Sequence, residues 1–186
     1  MMIRPAKEAD IDEIMPIVAK IKTGYFEKNG IPQWTGSYPS EDIFFDDLDA
    51  GHLFVLCQED LLIGFVSIGF EPEPDYAEID GKWLNDEPYA VVHRLGIDPD
   101  WHGFGFGGNL LTMAEKLCEQ REIRNIRADT HHQNAAMKKN FEGAGFQFCG
   151  VITLKGAGDE ADLLRDAYQK VILPPPETVP NRAHRH

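Results

Sequence analysis

The chain has 186 residues, of which 42% are hydrophobic and 26% are charged, a composition typical of one globular domain with a buried core. Its formal net charge of −13 argues against a basic surface for nucleic acid or for an anionic membrane. No apolar run reaches the roughly 18 residues of a membrane span, and the N-terminus lacks a secretory signal, so a cytoplasmic protein is expected.

The N-terminal part of the chain predicts a strand, two helices and a hairpin. The strand is expected over residues 3–6 and the first helix from Asp10, where Glu13 completes a capping box. Pro16 lies inside that helix and predicts a kink or a delayed start. The aromatic, turn-rich residues 24–39 are expected to be irregular. The elements that follow are a helix over residues 40–50 and a hairpin of strands 52–57 and 62–70.

The C-terminal part predicts alternating strands and helices after a long acidic loop over residues 71–88. The expected strands are 89–97, 124–129, 146–154 and 167–173, and the expected helices are 107–120 and 134–143. This order predicts an α/β fold, in which helices cover both faces of a mixed sheet. Residues 1–173 are expected to form a single domain, and the proline-led residues 174–186 a disordered tail.

The cysteines and the paired histidines are the potential metal ligands of this sequence. Cys57, Cys118 and Cys149 are widely spaced, form no CxxC pair and lie in apolar stretches, which predicts reduced, buried thiols and no structural zinc. His131 and His132 follow a predicted strand, but adjacent side chains there point in different directions. No metal is therefore expected, and turn or capping roles are favoured for the two histidines.

The segment WHGFGFGGNLL, residues 101–111, places four glycines directly before an apolar helix. Because glycine has no Cβ, main-chain amides at this helix N-terminus can approach a phosphate closely. The Gly-Lys-Ser/Thr ending of nucleotide triphosphatases is missing. Gly103, Gly105 and Gly108 spell GxGxxG with Asp129 further on, so a dinucleotide site is an alternative. Five residues, 98–102, separate the strand from the first glycine and count against it.

Residues 95–107, LGIDPDWHGFGFG, resemble motif A of the GNAT superfamily of acyl-CoA N-acyltransferases, although His102 stands where that motif has Arg or Gln. Residues 134–146, with Asn134 at the start and Gly-Phe at the end, are similar to motif B. The resemblance implies a mixed, mostly antiparallel sheet of about six or seven strands. It also implies a splayed parallel pair in the middle of the sheet, parted near Gly96.

The resemblance further implies that acetyl-CoA is the acetyl donor, with its pyrophosphate on the amides from Gly103 to Asn109 and its pantetheine arm between the parted strands. Asn134 also suits the cap of the helix that it opens. The residues predicted to contact the cofactor are Leu95, Gly96, Ile97, His102, Gly103, Phe104, Gly105, Phe106, Gly107, Gly108, Asn109, Asn134, Met137 and Phe141.

Acetyl transfer to an amine requires a group that removes a proton from nitrogen and support for the departing thiolate. The family often places a Tyr where this chain has Phe141, which cannot donate a proton. His93 lies two residues before Leu95 on the same strand, so it is the candidate base or acid. A hydrogen-bonded strand histidine that supports the core is the alternative.

The acceptor is expected to bind among Trp34, Tyr38, Tyr76 and Trp83. The acidic loop favours a cationic amine, although the same loop also suits a purely solubilising role. The sequence thus predicts an N-acetyltransferase that moves an acetyl group from acetyl-CoA to a primary amine of a small molecule or peptide in a ternary complex. A non-catalytic acyl-CoA sensor is the alternative, and a homodimer is compatible with either function.

Overall fold

The computed structural model describes residues 1–156 and 163–174 of the chain. Its strands are β1 (Met2–Pro5), β2 (Leu53–Gln58), β3 (Leu61–Gly69), β4 (Asp80–Gly81), β5 (Ala90–Ile97), β6 (Asn125–Thr130), β7 (Gln147–Thr153) and β8 (Leu164–Val171). Its α-helices are α1 (Ile11–Ile21), α2 (Glu41–Asp49), α3 (Phe106–Gln120) and α4 (Ala135–Gly143). Except for residue 174, the predicted tail lies outside the described residues.

The described strands form a single sheet in the order β1-β2-β3-β5-β6-β8-β7-β4. Within it β5 and β6 run parallel, and the other pairs of neighbouring strands run antiparallel. Seven of these strands were predicted, and the two-residue β4 is the addition. The expectation of a mixed, mostly antiparallel sheet with a parallel pair in its middle is confirmed.

Helices pack on both faces of the sheet because successive strand residues point to opposite sides. In β3, Phe65 joins a core with residues of α1 and α2, whereas its neighbour Val66 joins a core with residues of α3 and α4. Both side chains are fully buried. The sheet therefore separates two hydrophobic cores, as the predicted layering requires.

The first helix is longer than the sequence predicted. It begins at Ile11, runs past Pro16 without a delayed start, and continues through a π-helical turn over Lys22–Glu27. Residues 24–27 were expected to be irregular, because Gly24 and the aromatic residues favour helix weakly. Phe26 is 4% exposed and packs in the core beneath α1, so tertiary packing outweighs local propensity here.

The start of this helix also differs from the prediction. The carboxylate of Asp10 accepts hydrogen bonds from the Lys7 amide (2.8 Å) and from the Arg4 guanidinium (2.6 and 2.8 Å). The capping box expected between Asp10 and Glu13 is therefore wrong. Asp10 instead joins β1 to the short turn that precedes α1, since its carboxylate is already occupied by these two donors.

The acidic loop over residues 71–88 is folded onto the sheet rather than purely solvated. Tyr76 is 2% exposed, and its carbonyl accepts a 3.0 Å hydrogen bond from the indole Nε1 of Trp83. Arg127 lies over the Trp83 ring at 4.2 Å from the ring centroid. The two-residue β4 pairs with β7 and anchors the middle of this loop to the sheet.

The contact between β4 and β7 depends on glycine at Gly150, and this dependence predicts a large effect on stability. Gly150 has a φ of +147°, and a Cβ there would lie 2.2 Å from the Asp80 carbonyl oxygen. Gly150→Ala is expected to lower the free energy of unfolding by about 2–4 kcal/mol, measured by urea denaturation. The matched control is Gly143→Ala, because no atom lies within 4 Å of the added Cβ. Equal effects of the two substitutions would contradict this account.

Candidate active site

The parallel strands β5 and β6 pair over the start of β5 and then part. The register joins Ala90 to Ile126, and the described pairing ends at Val92 and Ala128. Just beyond, Arg94 has a φ of +47°, and the pairing of β5 with β3 shifts register there, as in a β-bulge. Residues 93–97 therefore present a main-chain edge that lacks a β6 partner. The sequence placed this parting near Gly96, later in the strand than the bulge at Arg94.

A cavity of about 830 Å³ lies beside the parted strands and the N-terminus of α3. We call it the glycine cavity, since Gly103, Gly105, Gly107 and Gly108 all line it. The first hydrogen bond of α3 runs from the Asn109 amide to the Gly105 carbonyl (3.3 Å), so the amides before Asn109 have no partner within the helix. These amides and the positive end of the helix dipole make this end of the cavity suitable for an anion.

The glycines of this segment serve two different purposes. Gly103 and Gly105 have φ values of +85° and +79°, and no atom lies within 4 Å of a Cβ added at either. Their conformation requires glycine, and the space around them is open. In contrast, a Cβ on Gly107 would lie 2.4 Å from Nδ2 of Asn140 on α4. Gly107 therefore allows close packing of two helices, a role that the sequence did not predict.

Gly96 likewise has a packing role. A Cβ at this position would lie 2.5 Å from Cζ of Phe65 and 2.9 Å from Cδ1 of Ile21. Its backbone lines the glycine cavity, but the space that its missing side chain leaves is filled by the core. Gly96 therefore serves close packing of the core as well as bordering the cavity with its backbone.

The predicted cofactor residues line the glycine cavity with two exceptions. Phe104 is 67% exposed and lies outside the cavity lining. Phe141 is 2% exposed and borders a different cavity. His102 lines the glycine cavity, but its Nε2 donates a 2.9 Å hydrogen bond to the Ile97 carbonyl. His102 thereby ties the glycine turn to the end of β5.

The second cavity has a volume of about 590 Å³ and is bordered by the carboxylates of Glu73, Asp75 and Asp129. We call it the carboxylate cavity. Four residues line both cavities and mark the junction between them. These junction residues are Phe26, Leu95, Asn134 and Met137.

His93 forms an acid–imidazole pair at the wall of the carboxylate cavity. Its Nε2 lies 3.1 Å from Oε2 of Glu73, and this hydrogen bond holds the pKa of Glu73 below its ordinary value. An ionised carboxylate can only accept, so Nε2 carries the hydrogen and Nδ1 has the free lone pair when the ring is neutral. Glu73 was missed as an individual site residue because it lies in the acidic loop, where its neighbours are also acidic.

Tyr76 and Asp129 form a second polar pair in this cavity. The Tyr76 hydroxyl donates a 2.6 Å hydrogen bond to Oδ2 of Asp129. Burial raises the pKa of Tyr76 well above its ordinary value and also raises the pKa of Asp129, so the hydroxyl keeps its proton. Asp129 entered the sequence analysis as the acid of a dinucleotide site, but here it binds Tyr76.

Three of the four residues predicted to bind the acceptor line the carboxylate cavity, and the fourth packs behind this lining. Trp34, Tyr38 and Tyr76 line the carboxylate cavity. Trp83 lies outside this lining and packs against the ring of Tyr76. Trp83 instead holds the main chain of Tyr76 through the indole hydrogen bond described above.

Gln33 is a site residue that sequence reasoning missed. Its Oε1 accepts hydrogen bonds from Thr130 Oγ1 (3.0 Å), from the His131 amide (3.3 Å) and from Asn134 Nδ2 (2.8 Å). Asn134 in turn caps α4 by accepting from the Met137 amide (3.2 Å), as its position at the helix start predicted. The segment around Gln33 carries no local signal for this contact, because its partners follow about a hundred residues later.

The three cysteines and the potential metal ligands were also located in the described part of the chain. Cys57, Cys118 and Cys149 are free and buried, as predicted, and burial raises the pKa of Cys118 to about 12. Within residues 1–156 and 163–174, no group of three or more His, Cys, Asp or Glu side chains is arranged to hold a metal ion. None of the helices in these residues is long and apolar enough to cross a membrane.

Comparisons with known proteins identify the family to which this mixed sheet, with its parted parallel pair and adjoining helix N-terminus, belongs. A model of the acetyltransferase (GNAT) family matches residues 18–146. This match spans more than half of the chain, so the protein belongs to the GNAT family of acetyltransferases. The resemblance stated from motifs A and B is thereby confirmed, and the dinucleotide alternative is set aside.

Several solved structures of acetyltransferases are similar to this chain. A GNAT-family acetyltransferase from Streptococcus agalactiae is 29% identical, with a TM-score of 0.82 over 93% of this chain and 96% of that one. The yncA protein of Salmonella typhimurium, solved with its cofactor acetyl-CoA, is 18% identical, with a TM-score of 0.68 over 98% of both chains. The paia N-acetyltransferase of Thermoplasma acidophilum, in complex with coenzyme A, is 16% identical, with a TM-score of 0.66 over 91% of this chain and 98% of that one. No curated protein matches the chain.

Proposed function

We propose that the protein is an N-acetyltransferase that moves the acetyl group of acetyl-CoA directly to a primary amine of a small molecule or peptide. One observation carries the proposal: the glycine cavity and the carboxylate cavity meet at Leu95, Asn134 and Met137, beside the open edge of β5. A donor in the first cavity and an acceptor in the second would bring the thioester and the amine together at this junction.

The residues of the glycine cavity fit acetyl-CoA. The cofactor carries a pyrophosphate, for which the free amides at the start of α3 are suited. Its pantetheine arm contains amide groups, which can hydrogen bond to the unpaired edge of β5 as a neighbouring strand would. Lys139 also lines the cavity and supplies positive charge for phosphate groups, whereas the ammonium of Lys170 is paired with Glu115.

The carboxylate cavity fits an amine acceptor. Glu73, Asp75 and Asp129 border it, and their negative charge attracts an ammonium group. Arg165 and Lys155 border it as well, so an acceptor that carries an anionic group beside its amine also fits. We infer that Trp34, Tyr38 and Tyr76 provide the apolar contacts of the acceptor. Trp83 holds the main chain of Tyr76 in place through its indole hydrogen bond.

His93 is the proposed general base. With Nε2 held by Glu73, its Nδ1 can accept the proton that the amine nitrogen loses as the new N–C bond forms. Glu73 orients the ring and stabilises its charged form after that proton has arrived. The C–S bond then breaks and releases coenzyme A as the thiol.

Direct transfer is favoured over a cysteine-bound intermediate. No cysteine or serine lines either cavity among the described residues. The buried thiol of Cys118, with its pKa raised to about 12, is a poor nucleophile at neutral pH. Both substrates would therefore bind before the acetyl group moves.

The test is release of free thiol from acetyl-CoA by the purified chain, measured with a thiol reagent. A panel of a polyamine, an aminoglycoside, a free amino acid and a peptide amine is expected to contain at least one acceptor that accelerates release. The same acceptor should gain the mass of one acetyl group. The matched control uses the N-acetylated form of each amine, which should not accelerate release. Binding of acetyl-CoA without release by any amine would favour the sensor instead.

A further inference from the structure

Phe141 cannot supply the proton that the departing sulfur of coenzyme A takes up. Phe141 is 2% exposed, and its ring packs against Phe146 and Tyr168, at 5.4 and 5.3 Å between centroids. It carries no hydroxyl, and it borders the carboxylate cavity rather than the glycine cavity. A thiolate that leaves without a donor retains a full negative charge in a partly enclosed site, which is unfavourable.

Tyr25 presents a hydroxyl close to the junction of the two cavities. It lines the glycine cavity, and its hydroxyl donates a 2.9 Å hydrogen bond to Oδ1 of Asn134. Asn134 lines both cavities, so this hydroxyl lies one hydrogen bond away from the junction. The acetyl group must cross that junction to pass from donor to acceptor.

The position of the Tyr25 hydroxyl is fixed from several sides. Asn134 is held by Gln33 through its Nδ2 and by the Met137 amide through its Oδ1. The Tyr25 ring lies 5.3 Å from the Phe26 ring and meets the His102 ring edge-on at 6.0 Å. Such restraint preorganises a donor for a charge that develops nearby.

The local backbone conformation also determines where the Tyr25 side chain points. Tyr25 lies in the π-helical turn Lys22–Glu27, inserted into an otherwise α-helical segment. Turns of this kind are rare, and they are frequent at functional sites because they redirect side chains. Here the turn directs the hydroxyl of Tyr25 toward Asn134, while the adjacent Phe26 enters the core.

The other donors near the junction hydrogen bond to main-chain carbonyls or to a carboxylate, whereas Tyr25 hydrogen bonds to the neutral side-chain amide of Asn134. Thr112 is the other hydroxyl-bearing residue that lines the glycine cavity in the described chain, and its Oγ1 donates to the Gly108 carbonyl within α3. His102 Nε2 donates to the Ile97 carbonyl. Tyr76 lines the carboxylate cavity and donates to Asp129.

We propose that Tyr25 is the general acid of the reaction and gives its hydroxyl proton to the sulfur of coenzyme A as the C–S bond breaks. The proposal rests on the proposed function. The electron pair of the C–S bond goes to sulfur, which takes the proton from Tyr25. His93 meanwhile holds the proton lost by the amine, and solvent carries an equivalent proton back to Tyr25. The products are the N-acetylated amine and the free thiol, so atoms and charge balance.

Two measurements on Tyr25→Phe test the proposal. The first is the ultraviolet absorbance of the thiolate of bound coenzyme A as a function of pH. A hydrogen bond from Tyr25 stabilises the thiolate, so the pKa of the bound thiol should be about one unit higher in the variant. The second is steady-state kinetics with the best amine, in which kcat should fall about 10–100-fold while the KM for acetyl-CoA stays unchanged.

The matched control is Tyr168→Phe, which removes a tyrosine hydroxyl outside both cavities. It should leave the thiol titration and kcat as in the wild type. An equal thiol pKa in wild type and Tyr25→Phe, or an equal kcat, overturns the proposal. Loss of affinity for coenzyme A in Tyr25→Phe also overturns it, because Tyr25 would then be a structural residue. The titration needs no acceptor, so it stays informative if no amine is acetylated and the proposed function fails.

Discussion

Replacement of His93 by Gln is expected to lower kcat by about 10²–10⁴-fold, the range typical of a lost general base. Gln can still donate a hydrogen bond to Glu73, but its amide does not take up a proton near neutral pH. The pair in the native protein is close, with 3.1 Å between His93 Nε2 and Glu73 Oε2. Steady-state kinetics with saturating acetyl-CoA measure the effect, and the KM for acetyl-CoA should change little.

The matched control is His52→Gln. His52 also faces a glutamate, with 3.5 Å between its Nε2 and Oε2 of Glu71, but it lines neither cavity. Its replacement should leave kcat unchanged. A wild-type kcat in His93→Gln would instead support the alternative in which His93 is a hydrogen-bonded strand residue without a chemical role.

The substitution Asp47→Ala is expected to lower the stability of the protein strongly. Asp47 makes a two-point contact with Arg94, from Nε to Oδ2 (2.8 Å) and from Nη2 to Oδ1 (2.6 Å). The two side chains are 10% and 14% exposed, so removal of the carboxylate leaves a largely buried guanidinium without its anionic partner. The free energy of unfolding should fall by about 3 kcal/mol, measured by urea denaturation.

Two comparisons separate this effect from a general loss of charge. Asp100→Ala breaks an exposed ion pair with Lys20, and the expected change is within about 1 kcal/mol. The double substitution Asp47→Leu with Arg94→Met removes both charges together and should recover most of the lost stability. If Asp47→Ala were no more harmful than Asp100→Ala, the Asp47–Arg94 pair would not stabilise the bulge of β5.

The local sequence predicted well those features whose cause is also local. The glycines before α3 predicted an open helix N-terminus, and Gly103 and Gly105 do adopt the positive φ values that require glycine. Asn134 predicted a helix cap and is one. Alternating apolar residues predicted β7, since side-chain direction repeats every second residue, and apolar runs predicted β2 and β3. Each of these signals acts within a few residues of the chain.

The sequence-based predictions that differ from the structure do so because of packing between residues that are distant along the chain. Residues 24–27 have weak helix propensity, yet burial of Phe26 keeps them helical. The acidic residues 71–88 read as solvated, yet Tyr76 and Trp83 fix them to the sheet. In both segments a few aromatic side chains gain more from burial than the local pattern suggests, because burying one large side chain contributes about 1.5–3 kcal/mol.

Fold class, family and the location of the glycine cavity were thus already encoded in short stretches of this chain. The identity of the polar partners was not: Glu73 meets His93, Gln33 meets Asn134, and Tyr25 meets Asn134 because the folded sheet and helices bring them together. Hydrogen bonds and ion pairs act over about 3 Å, whereas these partners lie far apart along the chain. Their geometry arises from the three-dimensional fold, and the chemistry proposed for this enzyme depends on it.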